Sequence, residues 1–162
     1  MKERVVVHVK RESCINVNGV NYHHHINGGG LVAETARVDD TAYVGPFALV
    51  KSSAQVLGRA EIHDRVVISG TVTIKDDVKI ENNVVVSGHA HLSNAVKISD
   101  NVNISGGTFS GNARLFGSVI VTGNPKVSEN ARLSGNVRVS GSPEIRGNAS
   151  IGVGSVASGI RM

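Results

Sequence analysis

Residues 131–136 read ARLSGN, and this unit of six residues decides the fold. Side chains alternate between the two faces of a strand, so Ala131 and Leu133 share one face and the polar residues beside them share the other. The Gly-Asn pair supplies a bend, because both residue types tolerate a positive φ. The unit therefore predicts a short strand followed by a two-residue turn.

The same unit recurs every six residues along most of the chain. Its aliphatic or aromatic anchors number thirteen from Val32 to Ile104 and eight from Phe109 to Ile151, with one residue dropped between the two runs. A small or β-branched residue stands four places after most anchors. A helix would repeat its apolar face every three to four residues and a plain strand every two, so a strand with a turn fits better. The dropped residue is expected to tighten one corner without further consequence.

Three such units close one triangular coil, so the twenty-one units make seven coils. Parallel strands of neighbouring coils lie about 4.8 Å apart, which gives a column roughly 34 Å tall. The anchors and the small residues fill its interior. The sequence thus predicts an all-β fold, a parallel β-helix of about seven triangular coils. The sequence also predicts three segments. Residues 1–30 form a small N-terminal β cap with a glycine-rich connection, residues 31–156 form the repeat, and residues 157–162 form a short C-terminal tail.

The segment that precedes Leu31 breaks the six-residue register. Arg4–Lys10 is typical of a strand, and Asn18-Gly19 is the strongest short signal for a hairpin between Ile15–Val17 and Val20–Tyr22. We expect this segment to cover one end of the solenoid, because a bare end is an edge strand that invites aggregation. His23–His25 follow, and they fit either a polar strand or a metal site formed where three subunits meet.

Composition limits the classes of protein to which the chain can belong. Only 3% of the residues are aromatic although 40% are hydrophobic, which fits a narrow interior. The single cysteine, Cys14, excludes an internal disulfide and suits a reducing compartment. The sequence shows neither an apolar run of about 18 residues nor a signal peptide, so we expect no membrane span and a cytoplasmic location. A net charge of +4 permits an anionic ligand but does not indicate nucleic acid.

The pattern aliphatic-x-x-x-small-x resembles that of the hexapeptide-repeat superfamily. The units that carry the resemblance include VDDTAY at residues 38–43 and LSGNVR at residues 133–138, and the pattern covers residues 31–156. The Gly-Asn-Ala-Arg style of repeat is similar to that of uncharacterised bacterial and phage-encoded members. The resemblance implies a left-handed parallel β-helix that assembles as a homotrimer. The left hand comes from the resemblance alone, because the general rule for crossovers favours the right hand.

Residues one coil apart stack on the same face, so each face carries columns of outward side chains. On the first face an apolar ladder points away from the core, and its members are Leu31, Leu49, Val67, Val85 and Ile120. Contiguous exposed apolar surface usually marks an interface. From Leu49 to Ile120 the ladder is therefore predicted to mediate self-association, and the resemblance implies trimers. The alternative is a scatter of surface valines.

The third face carries a row of cations. Its outward column comprises Tyr43, Glu61, Lys79, Lys97, Arg114, Arg132 and Ser150. The four successive cations would stand about 4.8 Å apart. They predict a binding site for a small anionic ligand that carries phosphate, such as a nucleotide. The alternative is a solvated charged face, and the second face shows no clear chemistry.

Catalysis is a separate hypothesis. Hexapeptide-repeat acyltransferases take an acyl group from acetyl-CoA, and a histidine in a cleft between subunits serves as their general base. The resemblance makes His89 and His91 the candidates, because they flank the first face. The excursion loop and the appended helix that build the acyl-donor pocket in those enzymes have no counterpart in this sequence.

Carbonic-anhydrase-like members of the superfamily hold a metal with three histidines, of which a close pair lies five residues apart. The spacings between His63, His89 and His91 are 26 and 2, so no metal is expected within the solenoid. We therefore predict a non-enzymatic homotrimeric binding or scaffold protein without a cofactor, an accessory protein of a phage or bacterium. The alternative is an acetyl-CoA-dependent acyltransferase.

Overall fold

The computed structural model describes residues 14–157, and in this range the chain is all β. It winds into a β-solenoid of about seven stacked parallel coils. The predicted fold class is confirmed, and no helix occurs between residues 14 and 157. The predicted strand at Arg4–Lys10 lies outside the described residues, as does the tail beyond residue 157.

A hairpin of two strands, β1 (Ile15–Val17) and β2 (Val20–His24), precedes the solenoid. Most strands of the coils contain only two residues, because a turn interrupts the chain once in each six-residue unit. The solenoid strands are β3 (Leu31–Ala33), β4 (Arg37–Val38), β5 (Tyr43–Val44), β6 (Leu49–Val50), β7 (Gln55–Val56), β8 (Glu61–Ile62), β9 (Val67–Ile68), β10 (Thr73–Ile74), β11 (Lys79–Ile80), β12 (Val85–Leu92), β13 (Lys97–Ile98), β14 (Asn103–Phe109), β15 (Arg114–Leu115), β16 (Ser118–Val121), β17 (Lys126–Val127), β18 (Arg132–Val139), β19 (Glu144–Ile145) and β20 (Ser150–Val156).

Between the first and last coils, each strand of the solenoid pairs in parallel with a strand of the coil before it and a strand of the coil after it. Leu31 lies opposite Leu49, and Tyr43 lies opposite Glu61, so one coil contains three of the six-residue units. The backbone N–H of Tyr43 accordingly donates to the carbonyl oxygen of Ala60 at 2.9 Å. The coil length and the sorting of side chains onto three faces agree with the sequence prediction.

The interior consists of the anchors and the small residues that the repeat predicts. Every anchor from Val44 to Ile145 is at most 1% exposed. Phe109 is the largest fully buried side chain, and it lies between Leu92 and Val127 of the neighbouring coils. Because burial of one such side chain contributes about 1.5–3 kcal/mol, this continuous column of contacts is the main source of stability.

Two corners of the solenoid have five residues instead of six. At the first, which the sequence predicts, Asn103 pairs with Ile120, one residue short of three full units. The second lies in the last coil, where Val139 pairs with Val156 and the coil is again one residue short. The prediction of a single slip is therefore wrong. The displaced anchor of the second slip is Val156, which lies five residues after Ile151 and is 4% exposed. It is the last anchor, so no later repeat in the sequence shows the change of register.

Residues with positive φ turn the corners. Between the third and first faces, φ is 51° at Asp64, 71° at Asn82 and 70° at Asp100. The carboxylate of Asp64 accepts a hydrogen bond from the backbone N–H of Asn82 at 2.9 Å, and that of Asp100 accepts one from Gly117 at 2.9 Å. Asp, Asn and Gly tolerate this conformation, and the short side chains also tie one coil to the next.

The N-terminal cap joins the first coil on two faces. As the Asn-Gly turn predicts, β1 and β2 form an antiparallel hairpin, and β2 then pairs antiparallel with β3 on the first face. On the third face, Gly30 donates its N–H to the carbonyl oxygen of Val44 at 2.9 Å, and Val44 donates to that of Asn27 at 3.0 Å. His25 is 5% exposed, and its Nε2 lies 3.2 Å from the carbonyl oxygen of Ala42. These contacts cover the edge of the first coil.

The last coil ends in a different way. β20 pairs in parallel with β18, and no strand within residues 14–157 pairs with the opposite edge of β20. Val153, in the corner that β20 spans, is 81% exposed. Within the described residues, the chain thus closes the solenoid at its N-terminal end alone.

Candidate functional site

The four cations predicted on the third face stand in one column. Lys79 pairs with Lys97, Lys97 with Arg114, and Arg114 with Arg132 in successive parallel strands. These four residues are referred to below as the basic row. Opposed residues of parallel strands lie about 4.8 Å apart, so the basic row spans roughly 14 Å along the solenoid axis.

Acidic side chains neutralise only the lower part of the basic row. Glu81 binds Lys79, with 3.2 Å between Oε2 and Nζ. Among the described residues, no carboxylate lies within 4.0 Å of the charged nitrogens of Lys97, Arg114 or Arg132. Like charges directly opposite one another in a sheet are destabilising. The upper three residues of the row therefore form a surface that a bound anion would stabilise.

An aromatic ring borders the basic row. Arg132 lies over Phe116, with 4.4 Å between its Cζ and the ring centroid. The quadrupole of the ring attracts a cation in this position, which holds the guanidinium in place. Phe116 and the row also line an open depression of about 250 Å³, together with Glu81, Ile98, Ser99 and Leu115. The depression offers a ligand apolar contact beside the positive charge.

On the N-terminal side of the basic row, the outward column of the third face changes from basic to acidic. Glu61 stands directly beneath Lys79 in the same column. The Nε2 of His63 lies 2.9 Å from the Oε2 of Glu61, and its ring centroid lies 4.7 Å from that of Tyr43. Because a carboxylate repels an anion, Glu61 sets the lower limit of the anion-binding surface.

The apolar ladder of the first face also stands in register. Leu49, Val67 and Val85 pair with one another in successive coils, and each is half-buried within the single chain. Asn103 then interrupts the ladder, and Ile120 beyond it is 37% exposed. The ladder is therefore continuous only over the coils nearer the N-terminus. There Leu49, Val67 and Val85 form an apolar strip along the first face.

The hairpin extends this apolar strip, a feature that the sequence analysis missed. Ile15, Val17 and Val20 lie on one side of the hairpin and are 37%, 48% and 38% exposed. Val17, Val20 and Tyr22 face a groove that is also lined by Leu49. The alternation of apolar residues in INV and VNY signals a one-sided hairpin, but only the pairing of β2 with β3 shows where that side points.

The structure places His89 and His91 on the outside of β12, whereas His63 lies on the third face. His89 is exposed at a corner, where its Nδ1 contacts the Oγ1 of Thr71, and the same hydroxyl donates to the carbonyl oxygen of Gly88 at 3.3 Å. His91 is exposed on the second face. Among the described residues, only His63 of these three histidines contacts a carboxylate.

Two of the three consecutive histidines of the cap contact backbone carbonyl oxygens of the same chain. The Nδ1 of His24 lies 2.7 Å from the carbonyl oxygen of Gly29, and His25 contacts that of Ala42. Within residues 14–157, no group of three or more His, Cys, Asp or Glu side chains is arranged to bind a metal ion. The interpretation as a polar strand accounts for these contacts.

Comparison with known proteins finds no match from which a functional site could be transferred to this chain. No protein-family model matches the chain, and neither a curated protein nor a solved structure matches it. In the part of the chain that the structure describes, no helix has the length and apolarity needed to cross a membrane. The assignment of the fold as a β-solenoid therefore depends on the strand pairing in this chain alone. Membership of the hexapeptide-repeat superfamily stays a prediction.

Proposed function

We propose that the chain is a homotrimeric binding and scaffold protein that holds a small anionic ligand, such as a nucleotide, and catalyses no reaction. One observation carries this proposal: Lys97, Arg114 and Arg132 are stacked without a carboxylate within 4.0 Å among the described residues, beside an aromatic ring and an open depression. The six-residue repeat supports membership of the hexapeptide-repeat superfamily, with left-handed coils. We also propose a cytoplasmic accessory role in a phage or bacterium.

Phosphate suits the upper part of the basic row. Arg114 and Arg132 each offer a planar fork of donors that matches two phosphate oxygens, and Lys97 adds a point charge next to them. The ring of Phe116 offers apolar surface to the base or sugar of a nucleotide. The proposed site needs neither a metal nor a cofactor.

Nucleotides are expected to raise the melting temperature of the wild-type chain by several degrees. A ligand at 100 times its Kd stabilises the folded state by about 2.7 kcal/mol. Lys97→Glu and Arg114→Glu each reverse one charge of the row and are expected to abolish the shift, as measured by thermal unfolding followed by circular dichroism. Lys75→Glu makes the same change of charge on the second face and should leave the shift intact. No shift in the wild type, or equal loss in Lys75→Glu, would contradict the proposed site.

The apolar strip supports assembly of the proposed trimer. The double substitution Val67→Asp and Val85→Asp is expected to convert a trimer of about three times 16.9 kDa into a monomer, because burying two unpaired carboxylates in an interface costs several kcal/mol. Light scattering coupled to size-exclusion chromatography measures the mass. Leu57→Asp, a half-buried apolar position on the second face, is the matched control and should remain trimeric. A monomeric wild type would exclude the assembly.

The arrangement of His89 favours a second candidate function, that of an acetyl-CoA-dependent acyltransferase. His89 is exposed, and the contact of its Nδ1 with the hydroxyl of Thr71 orients the ring, as a histidine that serves as a general base requires. His91 supports this role only through its position on the neighbouring face. The phosphates of acetyl-CoA can also bind the basic row, so calorimetric titration with acetyl-CoA is repeated on two variants. Heat that is lost in Lys97→Glu belongs to the basic row, whereas heat that persists in Lys97→Glu and is lost in His89→Ala supports the acyltransferase.

A further inference from the structure

We propose that the depression beside the basic row binds a phosphate ester of a sugar with free hydroxyl groups, such as the ribose phosphate of a nucleotide, and that Glu81 selects the hydroxyls. This inference rests on the proposed anion-binding function and narrows the chemical class of the ligand. The depression carries opposite charges at its two ends. Arg114 and Arg132 line its upper part, whereas the carboxylate of Glu81 lines its lower end.

Glu81 keeps one carboxylate oxygen available to a ligand. Its Oε2 lies 3.2 Å from the Nζ of Lys79, whereas no described residue forms a hydrogen bond to its Oε1. The side chain is half-buried and lines the depression. A carboxylate repels a bare anion but accepts a hydrogen bond from a donor group. The complete ligand therefore carries a hydrogen-bond donor in addition to its negative charge.

The hydroxyl of Ser99 is a second polar group that is available beside Glu81. The backbone N–H of Glu81 donates to the carbonyl oxygen of Ile98 at 3.0 Å, so Ser99 stands one coil beyond Glu81 in the same outward column. On the first face, the hydroxyl of Ser87 donates to a carbonyl oxygen of the next coil. Among the described residues, the hydroxyl of Ser99 has no such partner. The carboxylate and the hydroxyl together suit two neighbouring hydroxyls of a sugar, as a carboxylate suits the ribose of a dinucleotide.

The cations around Glu81 decide which kind of donor binds there. Lys79 already contacts the carboxylate, and Lys97 stands next to Lys79 in the row. A positively charged amine close to these two groups would be repelled, because like charges at short range disfavour one another. A hydroxyl donates a hydrogen bond without adding a charge. The lower end of the depression therefore selects the neutral hydroxyls of a sugar over an amine.

The size of the depression fits a sugar with its phosphate. Two coil spacings, roughly 10 Å, separate the strand of Glu81 from that of Arg114, which is comparable with a pentose phosphate that has hydroxyls at one end and charge at the other. Phe116 holds Arg132 at the charged end, with 4.4 Å between Cζ and the ring centroid. The volume of about 250 Å³ is below the roughly 300–1,000 Å³ of sites that enclose a drug-sized ligand. The depression therefore accommodates the sugar and phosphate rather than an entire nucleotide.

Calorimetric titration of the full chain with AMP and with 2′,3′-dideoxy-AMP tests the inference, because the two ligands carry the same charge and differ only in the sugar hydroxyls. AMP is expected to bind about tenfold more tightly, since a hydrogen bond to a charged group is stronger than one between neutral groups. Ribose 5-phosphate, which is the same sugar phosphate without a base, should bind with an affinity comparable to that of AMP.

Glu81→Gln is the decisive variant. It should lower the affinity ratio of the two nucleotides to about twofold or less while strengthening the binding of pyrophosphate, because the repulsive charge is removed. Retained binding of pyrophosphate also shows that the variant is folded. Glu61→Gln removes the same charge one coil before Lys79, outside the depression, and should keep the ratio.

Other results would overturn the inference, and they differ in what they say of the proposed function. Equal affinities for AMP and 2′,3′-dideoxy-AMP would reject the sugar and leave the small-anion site standing. A ratio that persists in Glu81→Gln, or that falls equally in Glu61→Gln, would show that Glu81 does not contact the hydroxyls. Binding of AMP without binding of ribose 5-phosphate would assign the depression to the base instead. No binding of AMP or of pyrophosphate at low salt would reject both the inference and the proposed site.

Discussion

Replacing Phe109 by alanine is expected to lower the free energy of unfolding by about 3–5 kcal/mol, the usual cost of removing a buried aromatic side chain. Phe109 is fully buried between Leu92 and Val127, in an interior that is otherwise aliphatic. The coils above and below are fixed by backbone hydrogen bonds at the strand spacing, so the walls of the resulting cavity cannot collapse inward. The cost should therefore lie at the upper end of the range.

Urea unfolding followed by circular dichroism measures this loss, at one protein concentration for all variants because assembly contributes to apparent stability. Phe109→Leu restores the residue found one coil below and should cost only about 1 kcal/mol. Phe116→Ala removes the same ring from the surface and should cost less than half as much as Phe109→Ala. Equal losses for the two alanine variants would contradict the assigned burial.

Gly123→Ala is expected to cost about 3 kcal/mol or more through the backbone, the sum of a conformational and a steric part. A Cβ built on Gly123 would lie 2.4 Å from the carbonyl oxygen of Gly141 in the next coil, and the φ of Gly123 is +82°. The left-handed conformation costs about 1–2 kcal/mol for a residue with a side chain, and overpacking adds about 1–3 kcal/mol. The carbonyl oxygen belongs to the ladder and cannot move aside without breaking it.

Gly147→Ala is the matched control for the steric part of this cost. Gly147 has a similar φ of +69°, but the nearest atom to its built Cβ is a flexible carboxylate oxygen of Glu129 at 3.8 Å. Only the conformational cost of about 1–2 kcal/mol should remain. Equal midpoints of thermal unfolding for Gly123→Ala and Gly147→Ala would show that the two coils do not approach as closely as the structure has them.

The fold was predictable because the period of six residues determines which residues of a coil point inward, which point outward and where each turn lies. Once Val32, Val38 and Val44 are assigned to the interior, the outward residues between them are assigned to faces, and a step of three periods gives the residue above each one. The columns of the basic row and of the apolar strip follow from that step, and the register of Lys79 and Lys97 matches it.

The rest depended on contacts that no period specifies. The pairing of Lys79 with Glu81, the contact of Thr71 with His89 and the seat of Arg132 over Phe116 are choices of side-chain conformation. The groove between hairpin and solenoid depends on how β2 turns into β3. These features depend on the conformations of individual side chains and of one connection between strands, and the six-residue repeat does not determine them.

The unpaired outer edge of β20 has a consequence for how the molecule opens. A coil inside the solenoid is stabilised by contacts with the coils on either side of it. The free energy of unfolding of such an array is approximately the sum of the intrinsic stabilities of the coils and of the contacts between neighbouring coils. Within the described residues, the first and the final coil each have one neighbouring coil, but the hairpin pairs with the first coil and no strand pairs with the outer edge of β20. Thermal fraying should therefore start at the C-terminal coil and travel downward, so the chain unwinds in a fixed direction.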